Sequence, residues 1–269
     1  MNDVSSVDSS VVHRLGFVDG FNGKRNEVLF CGTPNPEHNV VFFGGDVQEY
    51  PEVMLAHRDN KNYIQWNLEN TCRLLADKFP RSHVFIIKPS SMHLKTFSSY
   101  MNFVESDIMG CPMHSEGQQS WQSLSALLEN SVAKVHPEFS PSLEVPLDII
   151  GFSKGCVVLN QLVYDMKADD ELTKKVRGLY WLDGGHNGGS KTWITDLKLL
   201  EVLASTCINV FCHVTPYQLG DSNRKWIAKE QKKFVSVLRR LSAKVSNTVH
   251  FEGEERNLDL HFKVLTEFV

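Results

Sequence analysis

Three apolar runs limit what this chain can fold into more than any other feature: Val40-Val41-Phe42-Phe43, Val84-Phe85-Ile86-Ile87 and Leu147-Asp148-Ile149-Ile150. A strand with one face in water alternates apolar and polar residues. A run this continuous is buried on both faces and belongs in a parallel sheet. Eight strands are expected, over Val11–Val18, Glu27–Gly32, Asn39–Gly45, His83–Lys88, Val145–Phe152, Arg177–Asp183, Ile208–Thr215 and Asn247–Glu252. Amphipathic stretches lie between or after them, over Asn62–Phe79, Gly117–Val135, Cys156–Met166, Asn223–Val245 and Leu258–Val269. Alternation of this kind builds βαβ units, so the expected class is α/β, an eight-stranded mostly parallel sheet with helices on both faces. The first two strands are joined through Asp19-Gly20-Phe21-Asn22-Gly23, too tightly for a crossover helix, and should form an antiparallel hairpin. Residues 1–269 read as one domain, with 89–116 as an inserted loop over the active-site edge.

Composition removes several function classes. The net charge of −4 carries no signature of nucleic-acid binding, and no apolar run approaches the roughly 20 residues that span a bilayer. The six cysteines form no C-x-x-C pair, and several sit in apolar runs such as Leu29-Phe30-Cys31, so they read as small buried hydrophobes. Neither a metal nor a cofactor is called for. The first residues, Met1-Asn2-Asp3-Val4-Ser5-Ser6, have neither the apolar core of a signal peptide nor the arginines of a transit peptide.

Chemistry enters at Asp148-Ile149-Ile150-Gly151-Phe152-Ser153-Lys154-Gly155-Cys156-Val157-Val158. G-x-S-x-G alone is a weak pattern. Here an apolar strand runs into Gly151 and an apolar helix leaves Gly155, which is the strand–turn–helix of a nucleophile elbow and points to the α/β-hydrolase fold. The turn is so tight that the serine takes strained backbone angles, and side chains at the flanking glycines would strike the strand and the helix. The N–H of Lys154 should face a substrate oxyanion, helped by the helix N-terminus.

A serine hydroxyl needs a base, and the base an orienting acid; in this fold the chain order is serine, acid, histidine. His261, after the last strand, is the expected base, with His186 in Asp183-Gly184-Gly185-His186 as its competitor. Asp221, after the seventh strand, is the preferred acid and Asp183, ending the sixth, the alternative; Asp221 can equally be a helix cap. The second oxyanion donor should come from Phe43-Gly44-Gly45-Asp46-Val47-Gln48, at Gly45 or Asp46. The insertion Pro89–Glu116 carries Met92, Phe97, Tyr100, Met101, Phe103, Met109 and Met113, so it either packs over the sheet edge or lines an acyl pocket. The segment after the sixth strand reads as short, with no large cap domain.

Val41-Phe42-Phe43-Gly44-Gly45-Asp46-Val47-Gln48, Gly151-Phe152-Ser153-Lys154-Gly155 and Trp181-Leu182-Asp183-Gly184-Gly185-His186 together resemble the family of human chromosome two open reading frame sixty-nine. The resemblance runs from about Gly16 onward. It implies an α/β-hydrolase-like, mitochondrial protein with an N-terminal leader, and carries the family's serine onto Ser153.

Two readings follow. In the first, the chain is a serine hydrolase acting on a carboxylic ester, thioester or lipid-like acyl substrate, with peptide cleavage as a variant. In the second, it is a catalytically weak or inactive scaffold whose basic helix, Arg224–Lys244, docks a protein partner.

Overall fold

In the computed structural model the described residues are 11–108, 110–139, 142–167 and 171–268. Met109 of the apolar insertion and Val269 of the expected last helix lie outside them. Among these residues ten strands form: β1 (His13–Asp19), β2 (Arg25–Cys31), β3 (His38–Phe43), β4 (Ser82–Ile87), β5 (Ser91–His93), β6 (Phe97–Ser99), β7 (Leu147–Phe152), β8 (Val176–Leu182), β9 (Asn209–Val214) and β10 (Val245–Val249). Eight of them make one sheet in the order β1-β2-β4-β3-β7-β8-β9-β10, and β5 pairs with β6 in a separate hairpin. β2 runs antiparallel to β1 and β4. The remaining neighbours are parallel. The apolar runs are the central strands, with every residue of β4 and β7 buried.

The helices are α1 (Pro51–Leu55), α2 (Leu68–Lys78), α3 (Ser120–Val132), α4 (Cys156–Tyr164), α5 (Glu171–Lys175), α6 (Leu197–Ser205), α7 (Pro216–Leu219), α8 (Trp226–Arg240) and α9 (Leu258–Glu267). Two apolar layers sandwich the sheet. On one face α2 and α9 bury Leu68, Cys72, Leu75, Val264 and Leu265 against Val40, Phe42 and Ile150. On the other, α3, α4, α6 and α8 bury Leu124, Leu159, Leu200 and Phe234 against Val41, Ile149 and Trp181. Burial of this apolar surface is the main force holding the layers together.

Three expectations need correction. The segment after β8 is longer in structure than it reads, because it contains α6, which Asp196 caps by accepting from Lys198 and Leu199. The basic helix ends at Arg240 and the last strand starts at Val245, because Ser242 takes a left-handed φ of 61° that a helix does not continue through. Within the expected helix over Asn62–Phe79, a 3-10 segment, Asn60–Trp66, precedes α2, and Asn67 caps α2 by accepting from Asn70.

Candidate active site

β7 ends at Phe152, and the chain turns through Ser153-Lys154-Gly155 into α4. Ser153 has φ 52°, in the left-handed region that a residue with a Cβ rarely occupies. A Cβ on Gly155 would lie 2.0 Å from the carbonyl oxygen of Phe43, and one on Gly45 would lie 2.7 Å from the Ser153 Cβ. The turn therefore packs against the end of β3 at a distance that only glycines permit. Ser153 itself is 8% exposed.

The best-defined polar pair lies beside this turn. The Nδ1 of His261, in the first turn of α9, donates to Oδ2 of Asp183 at 2.6 Å, and both residues are buried. Asn257 starts α9 by accepting from Leu260, which sets where His261 falls. Asp183 follows β8 with a φ of 46°. Its carboxylate also accepts from the N–H of Thr215 at 2.8 Å and from its hydroxyl at 2.6 Å. Three donors thus hold one fully buried carboxylate, which offsets the cost of burying it. The ring of Phe152 lies 4.6 Å from that of His261, centroid to centroid, so the histidine stands next to the elbow.

Asp221 does not take part in this pair. Its carboxylate accepts from the amide of Asn223 at 2.9 Å, from Arg224 Nε at 2.8 Å and from an Arg256 nitrogen at 3.0 Å. Burial alone would raise its pKa, but these hydrogen bonds and the two arginine charges hold it below the usual carboxylate range. Position along the chain favours Asp221; the carboxylate that reaches His261 is Asp183. Among the described residues, His186 has no carboxylate partner. Its Nδ1 accepts from the amide of Gly188 at 2.9 Å, and burial pushes its pKa down to about 4, leaving a neutral imidazole folded into its own loop.

The two candidates in the turn after β3 are distinguished by their hydrogen bonds. The Gly45 N–H donates to Oε1 of Gln48 at 3.0 Å. Gln48 is buried and anchored in turn on the Trp66 carbonyl and the Thr71 hydroxyl. The Asp46 carboxylate accepts from the amide and hydroxyl of Ser98 at 2.8 and 2.9 Å, and its burial raises its pKa. The N–H of Lys154 is a first-turn amide of the kind a helix leaves without an internal acceptor. Its side chain is buried as well: Nζ donates to the Gly110 carbonyl at 2.6 Å and to Asn187 Oδ1 at 2.8 Å, and burial lowers its pKa.

The insertion covers this edge. Tyr100 and Phe103 are buried against the ring of Phe43 at 5.6 and 5.1 Å, and the Tyr100 hydroxyl donates to the Gly44 carbonyl at 2.9 Å. These two aromatics are packing residues. Leu94, Phe97, Met101, Ile108 and Met113 stay exposed on the same segment. Sequence reasoning missed Thr215, Gln48 and Ser98, which hold the site's groups in place. Only Gln48 stood in a quoted motif, and the hydroxyls of Ser98 and Thr215 stand in no motif that marks them out. Clefts of about 620 and 360 Å³ open around Tyr164 at the far end of α4, with none of Ser153, Asp183 or His261 in their walls. Among the described residues, no group of three or more His, Cys, Asp or Glu could hold a metal ion, all six cysteines are free thiols, and no helix is long and apolar enough to cross a membrane.

A family model described as C2orf69 matches residues 14–145 and 140–244. The mouse relative, Mitochondrial protein C2orf69 homolog, is 39% identical over 94% of this chain and 86% of its own. The zebrafish protein of that name is 43% identical over 86% and 73%, and the human Mitochondrial protein C2orf69 is 38% identical over 86% and 74%. The expected mitochondrial placement agrees with these names. Among solved structures, esterase Est22 with p-nitrophenol superposes with a TM-score of 0.54 at 11% identity, covering 96% of this chain and 77% of that one. Pyrococcus horikoshii acylaminoacyl peptidase does so with a TM-score of 0.51 at 11% identity; the match covers 93% of this chain but only 40% of the peptidase. At such identities the likeness is one of fold, and the fold is that of the α/β-hydrolases.

Proposed function

The chain belongs to the C2orf69 family, and from that premise and its fold we propose that it is a serine hydrolase cleaving a carboxylic ester, thioester or lipid-like acyl substrate. The observation that carries this reading is the buried His261–Asp183 pair at 2.6 Å, with the His261 ring packed on Phe152, the residue before a serine with a φ of 52°. Asp183 takes the acid's role in place of Asp221.

Ser153 Oγ attacks the substrate carbonyl carbon while His261, through Nε2, removes the hydroxyl proton. Asp183 holds Nδ1 and stabilises the imidazolium that forms. The developing oxyanion is received by the N–H groups of Lys154 and Asp46, since the Gly45 N–H is spent on Gln48. The tetrahedral intermediate collapses, and the leaving group departs with the proton from His261. Water, deprotonated by the same histidine, then releases the acid from the acyl-enzyme. The exposed apolar residues of the insertion support an apolar acyl chain.

The test is covalent labelling with a fluorophosphonate. The folded wild-type chain is expected to label at Ser153, and Ser153→Ala and His261→Ala to lose labelling. Absence of labelling in folded wild type would replace this reading with the partner-binding scaffold.

A further inference from the structure

Two aromatic rings pack against the His261 imidazole: Phe152 lies 4.6 Å away with the planes tilted by 32°, and Tyr217 lies 4.6 Å away tilted by 34°. With Nδ1 also tied to Asp183, these contacts restrain the ring.

Tyr217 is fixed by the residue that fixes the acid. It is the second residue of α7, and its amide donates to the hydroxyl of Thr215 at 3.1 Å, while Thr215 donates its own amide and hydroxyl to Asp183. From outside, Arg256 closes over it. The guanidinium carbon stands 4.4 Å above the Tyr217 ring, Nε donates to the Tyr217 carbonyl at 2.7 Å, and a terminal nitrogen reaches Asp221. Asp221 also holds Arg224. The carboxylate that does not reach His261 therefore anchors the arginine that braces its neighbour.

We infer that Tyr217 is a positioning residue for the general base, with Arg256 as its brace; the inference rests on the hydrolase reading above. Acyl transfer turns His261 from imidazole into imidazolium. An aromatic face both confines that ring and favours its cationic form, so the benefit grows toward the transition state. Substrate binding alone gains nothing from it, so its removal lowers the rate of reaction and leaves affinity unchanged.

The experiment is saturation kinetics of fluorophosphonate labelling on the full chain, with Ser153→Ala as the blank and thermal unfolding recorded for every variant. Tyr217→Leu is expected to lower the maximal labelling rate about tenfold, with the half-saturating probe concentration unchanged within about twofold. Tyr217→Phe, which keeps the ring, should stay within about twofold of wild type. Arg256→Gln should fall about threefold and carries the test if Tyr217→Leu does not fold. A Tyr217→Leu chain that labels at the wild-type maximal rate overturns the inference, as does an equal loss in Tyr217→Phe. Wild type that folds and does not label overturns the hydrolase reading first, and this one with it.

Discussion

The Lys154 ammonium donates to the carbonyl of Gly110 at 2.6 Å, so the residue after the candidate nucleophile ties the insertion to the elbow. Its second acceptor, Asn187 Oδ1, lies in the loop after β8, and both acceptors are uncharged. Lys154→Met keeps most of the buried stem and removes the tether. It also removes a charge that is costly to bury. Global stability should therefore hold or rise, while amide exchange over residues 100–116 should quicken about tenfold, the loss of one charge-assisted hydrogen bond. Hydrogen exchange followed by mass spectrometry separates the two effects. Unchanged exchange in that segment would mean that Lys154 is not the tether.

Gly155 makes the most demanding steric prediction. A Cβ there meets the Phe43 carbonyl oxygen at 2.0 Å, and a backbone carbonyl in a central strand cannot step aside. Gly155→Ala should cost about 3 kcal/mol or more in urea unfolding. Gly189→Ala is the control, since a Cβ there has nothing within 4 Å, and it should stay within about 0.5 kcal/mol of wild type. Equal midpoints for the two variants would contradict the elbow's contact with β3.

What could be read from the sequence divides along the same physical line. Continuous apolar runs and paired glycines report local constraints, so the eight-stranded sheet and the turn at Ser153 were legible. That His261 lies near the elbow was legible from chain order. Which carboxylate reaches it was not, because Asp183 and Asp221 both follow strands. It depends on a left-handed φ at Asp183 and on two donors from Thr215, whose place opposite Asp183 arises only when β8 and β9 pair. Helix α6 did leave a trace, Asp196 before Leu197-Lys198-Leu199-Leu200, but it stands in a segment that reads as a connection. The β5–β6 hairpin left none: its strands have three residues each, and Phe97 points an apolar ring at solvent.

The two carboxylates are separated by a direct comparison. Asp183→Asn keeps the shape and removes the charge that holds the His261 tautomer, so the labelling rate should drop by about a thousandfold or more. Asp221→Asn loosens Arg256 and Arg224 but leaves the His261–Asp183 pair in place, so a loss of only a few-fold is expected. Stopped-time labelling under identical conditions decides between them. The reverse order of effects would return the acid's role to Asp221.

Acidification should destabilise the fold through its buried histidines. Burial pushes His83, His114, His186 and His213 down to about 4 from the ordinary 6.5. Between those values the unfolded chain binds more protons than the folded one, so stability present above about pH 6.5 is lost as pH falls toward 4. Each such group contributes at most about 1.4 kcal/mol per pH unit inside that window. Asp46 works in the opposite sense, because burial raises its pKa and the folded state gains a proton first, but it is one group against four. The free energy of urea unfolding is therefore expected to fall by about 3 kcal/mol or more between pH 7 and pH 5. His83 is fully buried in β4, with the ring of Phe30 5.2 Å away. His83→Phe should make that fall smaller by roughly 1 kcal/mol. A flat or rising stability across this range would mean that these imidazoles are not held neutral by burial.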